Sequence, residues 1–222
     1  MNREYNDFRK FANSVGVGTA RLDKFATVTN PYVVEERQMN ITSISVFSRL
    51  LMDRQIFLGG EIDDDLANII NAQMLWLESN GDGDITLNIN SGGGSVYDGF
   101  AIVDTMDMVK CDVSTVVVGL AASMASVIAS NGTKGKRHIL PHSRFMIHQP
   151  MSSLGRMSQA SDIEIQSREI NTLKKELIQI LSKNSRVELD QVRQMCDRDT
   201  WLTSYEAVNY GFMDDIVGKN SR

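Results

Sequence analysis

An α/β domain with a largely parallel sheet is the fold class predicted by this sequence. Three observations predict it. Short apolar, often β-branched runs alternate with stretches of helical periodicity from about Ile56 onward. Clusters rich in glycine and asparagine punctuate that alternation, and no internal repeat or low-complexity stretch interrupts it.

The elements follow in chain order. Met1 to Lys24 is polar and amphipathic, with Phe8, Phe11 and Val15 at helical spacing, and a boundary is expected near Thr29-Asn30-Pro31. Ile56-Phe57-Leu58 reads as a short strand ended by Gly59-Gly60. From Asp65 to Leu77, Leu66, Ile69, Ile70, Met74 and Leu77 mark an amphipathic helix. Asn80-Gly81-Asp82-Gly83-Asp84 is a turn, after which Ile85, Leu87 and Ile89 alternate with polar residues as a strand ending at Asn90. Glu78-x-Asn80-x-Asp82-Gly83-Asp84 also resembles the start of a calcium loop. Ile89 occupies the place of its terminal bidentate Glu, so a helix-to-strand turn is preferred.

Val96 to Val109 reads as a helix, Val113 to Val118 as a strand, Ala121 to Ser130 as a small-residue helix and Arg144 to His148 as another strand. Ser161-x-x-Glu164 has the form of a capping box opening a long helix. Ile163, Ile170, Leu173, Leu177 and Leu181 form its apolar stripe. Ser185 with Glu188 and Thr203 with Glu206 repeat the capping signature, and Gly211 is placed to stop the last helix.

The bulk properties bound the function. A chain of 222 residues sustains one sizeable core. The net charge of −5, without a long basic run, argues against nucleic acid or an anionic membrane as primary partner. No apolar run reaches the ~18 residues of a membrane span, and the N-terminus lacks the apolar core of a secretory signal, so a cytoplasmic location is expected. Cys111 and Cys196, the only two cysteines, stand far apart and read as reduced thiols.

Candidate chemistry gathers at three places. The strand Val113–Val118 runs into Gly119-Leu120-Ala121-Ala122-Ser123-Met124-Ala125-Ser126. A glycine followed by small residues allows a sharp strand-to-helix turn, placing Ser123 near a helix N-terminus, where free N–H groups favour developing negative charge. The competing reading is that these are small residues for tight helix packing; Ser126 and Ser130 are read that way. Ser91-Gly92-Gly93-Gly94-Ser95 follows Asn90. Consecutive glycines carry a backbone entropy cost that a site needing exposed N–H groups explains. No Gly-Lys-Ser/Thr follows, which excludes a P-loop and leaves an oxyanion hole, a peptide-docking backbone or a plain flexible turn. Of three histidines, His148 ends an apolar strand, where open α/β sheets place ligands, while His138 and His142 lie in polar turns. Twenty-eight carboxylates leave the orienting acid open; Asp199, ahead of an expected strand, is one candidate.

Several of these blocks together resemble the ClpP family of serine peptidases. Gly119-x-Ala-Ala-Ser-Met and Met146-Ile-His-Gln-Pro are similar to its two signature blocks, 25 residues apart from Ser123 to His148. Ser91-Gly-Gly-Gly-Ser resembles its glycine loop, and Arg198-Asp199-x-Trp-Leu-Thr-x-x-Glu-Ala its acid block. Ser48-Arg-Leu-Leu-Met-Asp-Arg-Gln-Ile-Phe-Leu-Gly resembles its first core strand, and the match runs from about Tyr32 to Val217. The resemblance implies a ClpP/crotonase-like β/α superhelical fold with a protruding handle helix. It implies Ser123 as nucleophile, His148 as base and Asp199 as orienting acid, with the N–H groups of Gly94 and Met124 as the oxyanion hole. It further implies a serine endopeptidase hydrolysing unfolded polypeptides inside two stacked heptameric rings, with the helix from Ser161 interlocking the rings. An AAA+ unfoldase of the ClpX, ClpA or ClpC type would feed the chamber and use the ATP; no cofactor or metal is implied for the chain itself. On this reading residues 1–30 form a leader, either a propeptide or an axial extension. Residues 31–222 form the peptidase domain, with a handle at about 151–183. Asp197 and Arg198 match positions that pair across the ring interface.

The sequence departs from the family pattern in places. Gly92 stands where many members carry proline, implying a less preorganised loop. Leu75 and Trp76 keep part of the family's unfoldase-docking groove, whereas Asn88 and His138 fall where aromatics are common, implying weaker docking. Two rivals remain: a crotonase-type acyl-CoA enzyme, which does not require the Ser123, His148 and Asp199 set, and a weakly active paralogue serving as scaffold in a mixed ring.

Overall fold

The computed structural model describes residues 3–14, 32–37, 40–152 and 159–218. Helix α1 (Arg3–Ser14) comes first, followed by an antiparallel strand pair, β1 (Tyr32–Arg37) and β2 (Asn40–Ser45), with Tyr32 opposite Ser45. Then come α2 (Val46–Met52), β3 (Gln55–Ile62), α3 (Asp64–Ser79), β4 (Ile85–Gly94), α4 (Val96–Met108), β5 (Val113–Ala122), α5 (Met124–Ser130), β6 (Arg137–Ile139) and β7 (Arg144–Ile147). The chain finishes with α6 (Ala160–Lys183), α7 (Leu189–Met195), β8 (Thr200–Thr203), α8 (Ser204–Asn209) and β9 (Asp215–Ile216).

Seven strands form the main sheet, along the path β3-β4-β5-β6-β9, with β7 also pairing β5 and β8 pairing β7. Every pairing is parallel except β7 with β8, as the alternation of strands and helices predicts. The alternating residues Ile85, Leu87 and Ile89 are fully buried and lie beside Ile56 and Leu58 in the core. Each such side chain contributes about 1.5–3 kcal/mol through burial. Helix α3 lays Ile69, Ile70, Met74 and Leu77 on that core. Asp63 caps it by accepting from the Leu66 amide at 2.9 Å, and Asp64 and Asp65 sit at the positive end of its dipole. The segment from Asn80 to Asp84 joins α3 to β4, the helix-to-strand turn expected there.

Strand β5 changes partner along its length, which shapes the site. Thr115–Val117 pair with β6, and Leu120–Ala122 pair with β7. Gly119, at φ +99°, makes the bend between them, and a side chain there would meet Asn90 Oδ1 at 2.9 Å. Ser143 pins the bend: its Oγ accepts from the Gly119 amide at 2.9 Å and donates to the Val117 carbonyl at 3.0 Å.

At the start of β6, Arg137 forms an ion pair with Asp214, their side chains only 5% and 18% exposed. Burial works against the Asp214 carboxylate, but hydrogen bonds from Arg137 outweigh it and hold Asp214 below the usual carboxylate range. Cys111 and Cys196 are both free and buried. Helix α1 packs against α3 through buried Ala12 and partly buried Phe11. Val15 and the boundary near Thr29-Asn30-Pro31 lie outside the described residues. Among the described residues no helix is long and apolar enough to cross a membrane.

The structure corrects several expected boundaries. Strand β3 does not end at Gly59-Gly60: Gly60 turns through φ +91°, the register slips, and pairing resumes with Glu61 opposite Gly93. Strand β4 likewise continues past Asn90, because Gly93 and Gly94 pair with Glu61 and Ile62. Ala121 and Ala122 are the last residues of β5, paired with Phe145 and Met146, and the helix begins only at Met124. Two of the three expected capping boxes fail. Helix α6 starts one residue before Ser161, with Gln159 as cap and no side-chain hydrogen bond; Glu188 is itself the cap of α7, while Ser185 Oγ accepts from the Val187 amide instead. Thr203 and Glu206 do form the reciprocal box, and Gly211, at φ +78°, follows the end of α8. The stripe of α6 divides: Leu177 and Leu181 are buried, whereas Ile163 is 42% exposed and Ile165, off the stripe, 57%.

Candidate active site

Strand β5 delivers Ser123 to the carboxyl edge of the sheet. The Ser123 amide donates to the Met146 carbonyl at 3.0 Å, the last rung between β5 and β7. The backbone then turns at φ 55° and ψ −127°, outside the regions L-residues favour, a strain of about 1–3 kcal/mol. The surroundings hold that strain in place. The Ser123 carbonyl accepts from the Ser126 amide at 3.0 Å and from Ser126 Oγ at 2.6 Å. Gly93 presses from β4, so closely that a Cβ there would lie 2.6 Å from Ser123 Cβ and 2.7 Å from the Ala122 carbonyl. Met124 is buried with its side chain in the space Gly99 leaves, where a Cβ would meet Met124 Cγ at 2.1 Å.

The imidazole and the carboxylate reach Ser123 through the antiparallel pairing of β7 and β8. Ile147 lies opposite Thr200, so the next residues outward, His148 and Asp199, face each other. His148 Nδ1 lies 3.0 Å from Asp199 Oδ1, and His148 Nε2 lies 2.8 Å from Ser123 Oγ. With the carboxylate ionised, Nδ1 carries the proton and donates, leaving the Nε2 lone pair to accept from the serine hydroxyl. The His148 side chain is 11% exposed and that of Asp199 is 61% exposed. Beyond them the Gln149 amide donates to the Cys196 carbonyl at 2.7 Å, and Gln149 Nε2 to the Asp197 carbonyl at 2.8 Å. Lys174 of α6 donates to Gln149 Oε1 at 2.7 Å. Burial pushes the Cys196 thiol up to about 11, so it stays neutral and unreactive near pH 7.

The other two histidines lie apart from this line. His138 pairs with Asp215 between β6 and β9, and His142 lies in the exposed turn after β6. Arg198 donates to the Asp197 carbonyl of its own chain at 3.1 Å.

The glycine segment borders the serine. A Cβ on Gly93 would lie 2.9 Å from the Met124 amide nitrogen, and one on Gly94 would lie 2.2 Å from the Ile62 carbonyl oxygen. The Ser95 amide donates to that same Ile62 carbonyl at 2.8 Å. Gly94 lies opposite Ile62 in the parallel pairing, and its neighbour Ser95 takes the Ile62 carbonyl, so the Gly94 N–H is turned away from β3. The flexible-turn reading of this segment is thereby overturned. Sequence reasoning missed Ile62, Ser91 and Ser126 as neighbours that shape the site. Ser126 carried a signal, a hydroxyl three residues after the turning serine.

The Clp protease family model matches residues 36–220. The chain is 50% identical over 223 residues to an ATP-dependent Clp protease proteolytic subunit of Porphyromonas gingivalis, covering 98% of this chain and 100% of that one. It is 52% identical to the protein of the same name from Bacteroides fragilis, covering 96% and 99%, and 44% identical to that of Lactococcus lactis, covering 86% and 96%. With a serine, an imidazole and a carboxylate in hydrogen-bonded line at the edge of a parallel sheet, and with relatives matched at this level along nearly its whole length, the chain belongs to the Clp protease family.

Proposed function

We propose that this serine protease cleaves peptide bonds through an acyl-enzyme on Ser123, with His148 as general base and Asp199 as orienting acid. The observation that carries the reading is the unbroken contact from Asp199 Oδ1 through both ring nitrogens of His148 to Ser123 Oγ, at 3.0 and 2.8 Å. Ser123 Oγ attacks the scissile carbonyl carbon while its proton passes to His148 Nε2. Charge develops on the carbonyl oxygen, where the Gly94 and Met124 amides are the donors, each worth about 10²–10³ in rate. The imidazolium then protonates the leaving amine, the C–N bond breaks, and an ester remains on Ser123. Water, deprotonated by His148, hydrolyses the ester and returns the serine. The cycle needs no cofactor and no metal.

We assign the finer features to the same reading. Substrates are unfolded polypeptides, delivered in the cytoplasm by an AAA+ unfoldase of the ClpX, ClpA or ClpC type that spends the ATP. Two stacked heptameric rings enclose the chamber. The exposed Ile163 and Ile165 on the outer half of α6 support a handle that another copy covers. Residues 1–30 are a leader ahead of the peptidase domain. Docking of the unfoldase is weaker than the family norm: Asn88 is bonded to Gln55 and the Ile56 carbonyl, and His138 to Asp215, putting polar groups where an apolar groove is needed. Capture of an unfoldase from a purified mixture with ordinary high affinity would contradict that last point.

The principal test is hydrolysis of a short fluorogenic peptide by the wild type and by Ser123→Ala. The expected loss is about 10⁶-fold in kcat. Comparable turnover by both proteins would remove Ser123 from the chemistry.

A further inference from the structure

We infer that Ser91 is the positioning residue that shapes the glycine strand for oxyanion binding, an inference resting on Ser123 as nucleophile and Gly94 as oxyanion donor. Along β4 the inward row is Ile85, Leu87, Ile89, Ser91 and Gly93, so a hydroxyl occupies a position where the pattern calls for an apolar side chain. Ser91 is 3% exposed. A buried hydroxyl is costly unless fully bonded, and this one is bonded twice. Its Oγ donates to the Gly60 carbonyl on β3 and accepts from the Gly93 amide at 3.1 Å.

Both bonds fall where the ladder is irregular. The β3–β4 register slips between Gly59 and Glu61, and the β4–β5 register slips between Ile89 and Ser91. The next three residues are glycines, with no side chains to fix their dihedrals, and Gly93 takes φ +94° against Ser123. The hydroxyl supplies the missing constraint. It fastens the Gly60 bulge to β4, and it occupies the Gly93 N–H. The Gly94 N–H is then the amide left to face the nucleophile's side.

The test compares wild type, Ser91→Ala and Ser91→Cys on the fluorogenic peptide. It includes inhibition by a peptide aldehyde, whose adduct with Ser123 places an oxyanion in the pocket, and by the carboxylate product peptide. Ser91→Ala is expected to lower kcat at least about tenfold with KM within about twofold, and to weaken the aldehyde in proportion, while product affinity holds and Tm falls by a few degrees for the Gly93 amide left without its partner. Ser91→Cys keeps the branch point with a somewhat larger and more weakly hydrogen-bonding group and should fall between. An undiminished kcat and aldehyde affinity in Ser91→Ala would overturn the inference. So would a loss borne by KM and product affinity with kcat and aldehyde affinity unchanged relative to them, the mark of a merely structural residue. If Ser91→Ala does not fold, Ser91→Cys decides alone: wild-type kcat overturns the role. Ser123→Ala, run beside them, separates the two readings. An inactive Ser123→Ala with an undiminished Ser91→Ala removes only Ser91, whereas an active Ser123→Ala removes the nucleophile.

Discussion

Ser123 and Asp199 stand at opposite ends of one hydrogen-bonded line, yet opposite kinds of structure hold them. The serine end is over-determined: a strained backbone, two donors on its carbonyl, a rung to β7 and a glycine strand in van der Waals contact. The acid end is open to solvent, in the short segment between α7 and β8, with its side chain 61% exposed. Its ties fall on the neighbouring backbone: Thr200 Oγ1 donates to the Met195 carbonyl at 2.6 Å, and Gln149 donates to the Cys196 and Asp197 carbonyls. The geometry of Ser123 is therefore a property of this chain's own core. That of Asp199 rests on the antiparallel edge between β7 and β8.

Perturbing each end breaks or sharpens that contrast. The larger effect is expected from Gly93→Ala, whose Cβ would lie 2.6 Å from Ser123 Cβ and 2.7 Å from a backbone carbonyl, at a φ of +94°. Ser123 and the glycine strand must both shift, so on the proposed mechanism kcat should fall at least about 10³-fold. A Gly93→Ala protein with wild-type turnover would mean that the serine end is not rigid. Asp199→Asn should cost less, about 10²–10³-fold, because an acid open to water contributes less than the ~10⁴ of a buried one. Steady-state kinetics on the same peptide measures both. A loss as deep as that of Ser123→Ala would place the acid in a shielded environment, supplied by a neighbouring copy.

The same contrast explains what was legible in the sequence. Strand and helix order was readable from periodicity, since Ile85, Leu87 and Ile89 in β4 and Leu177 and Leu181 in α6 face the core at their expected spacing. The line of Ser123, His148 and Asp199 was readable only through the resemblance, for the pairing that sets His148 opposite Asp199 is non-local. Local signals misled where tertiary pairing overrode them. Gly59-Gly60 and Gly92-Gly93-Gly94 carry the composition of turns, but pairing between β3 and β4 resumes beyond the irregularity and carries both strands on. The Ser161 and Ser185 capping signatures failed because the first turn began at a different residue, and the motif alone does not fix that register.

The smallest expected effect lies inside the glycine run itself, where neighbours a residue apart differ sharply. Gly93 and Gly94 are in contact with Ser123 and Ile62, whereas a Cβ on Gly92 would meet nothing within 4 Å, and its φ is not in the left-handed region. Gly92→Ala should therefore leave kcat within about twofold and stabilise the fold by about 0.4–1 kcal/mol, through lost freedom in the unfolded chain. Thermal unfolding and peptide hydrolysis of the purified variant measure the two quantities. A marked fall in kcat would mean that Gly92 must move during turnover, and the constraint on this strand would then lie in motion as well as in shape.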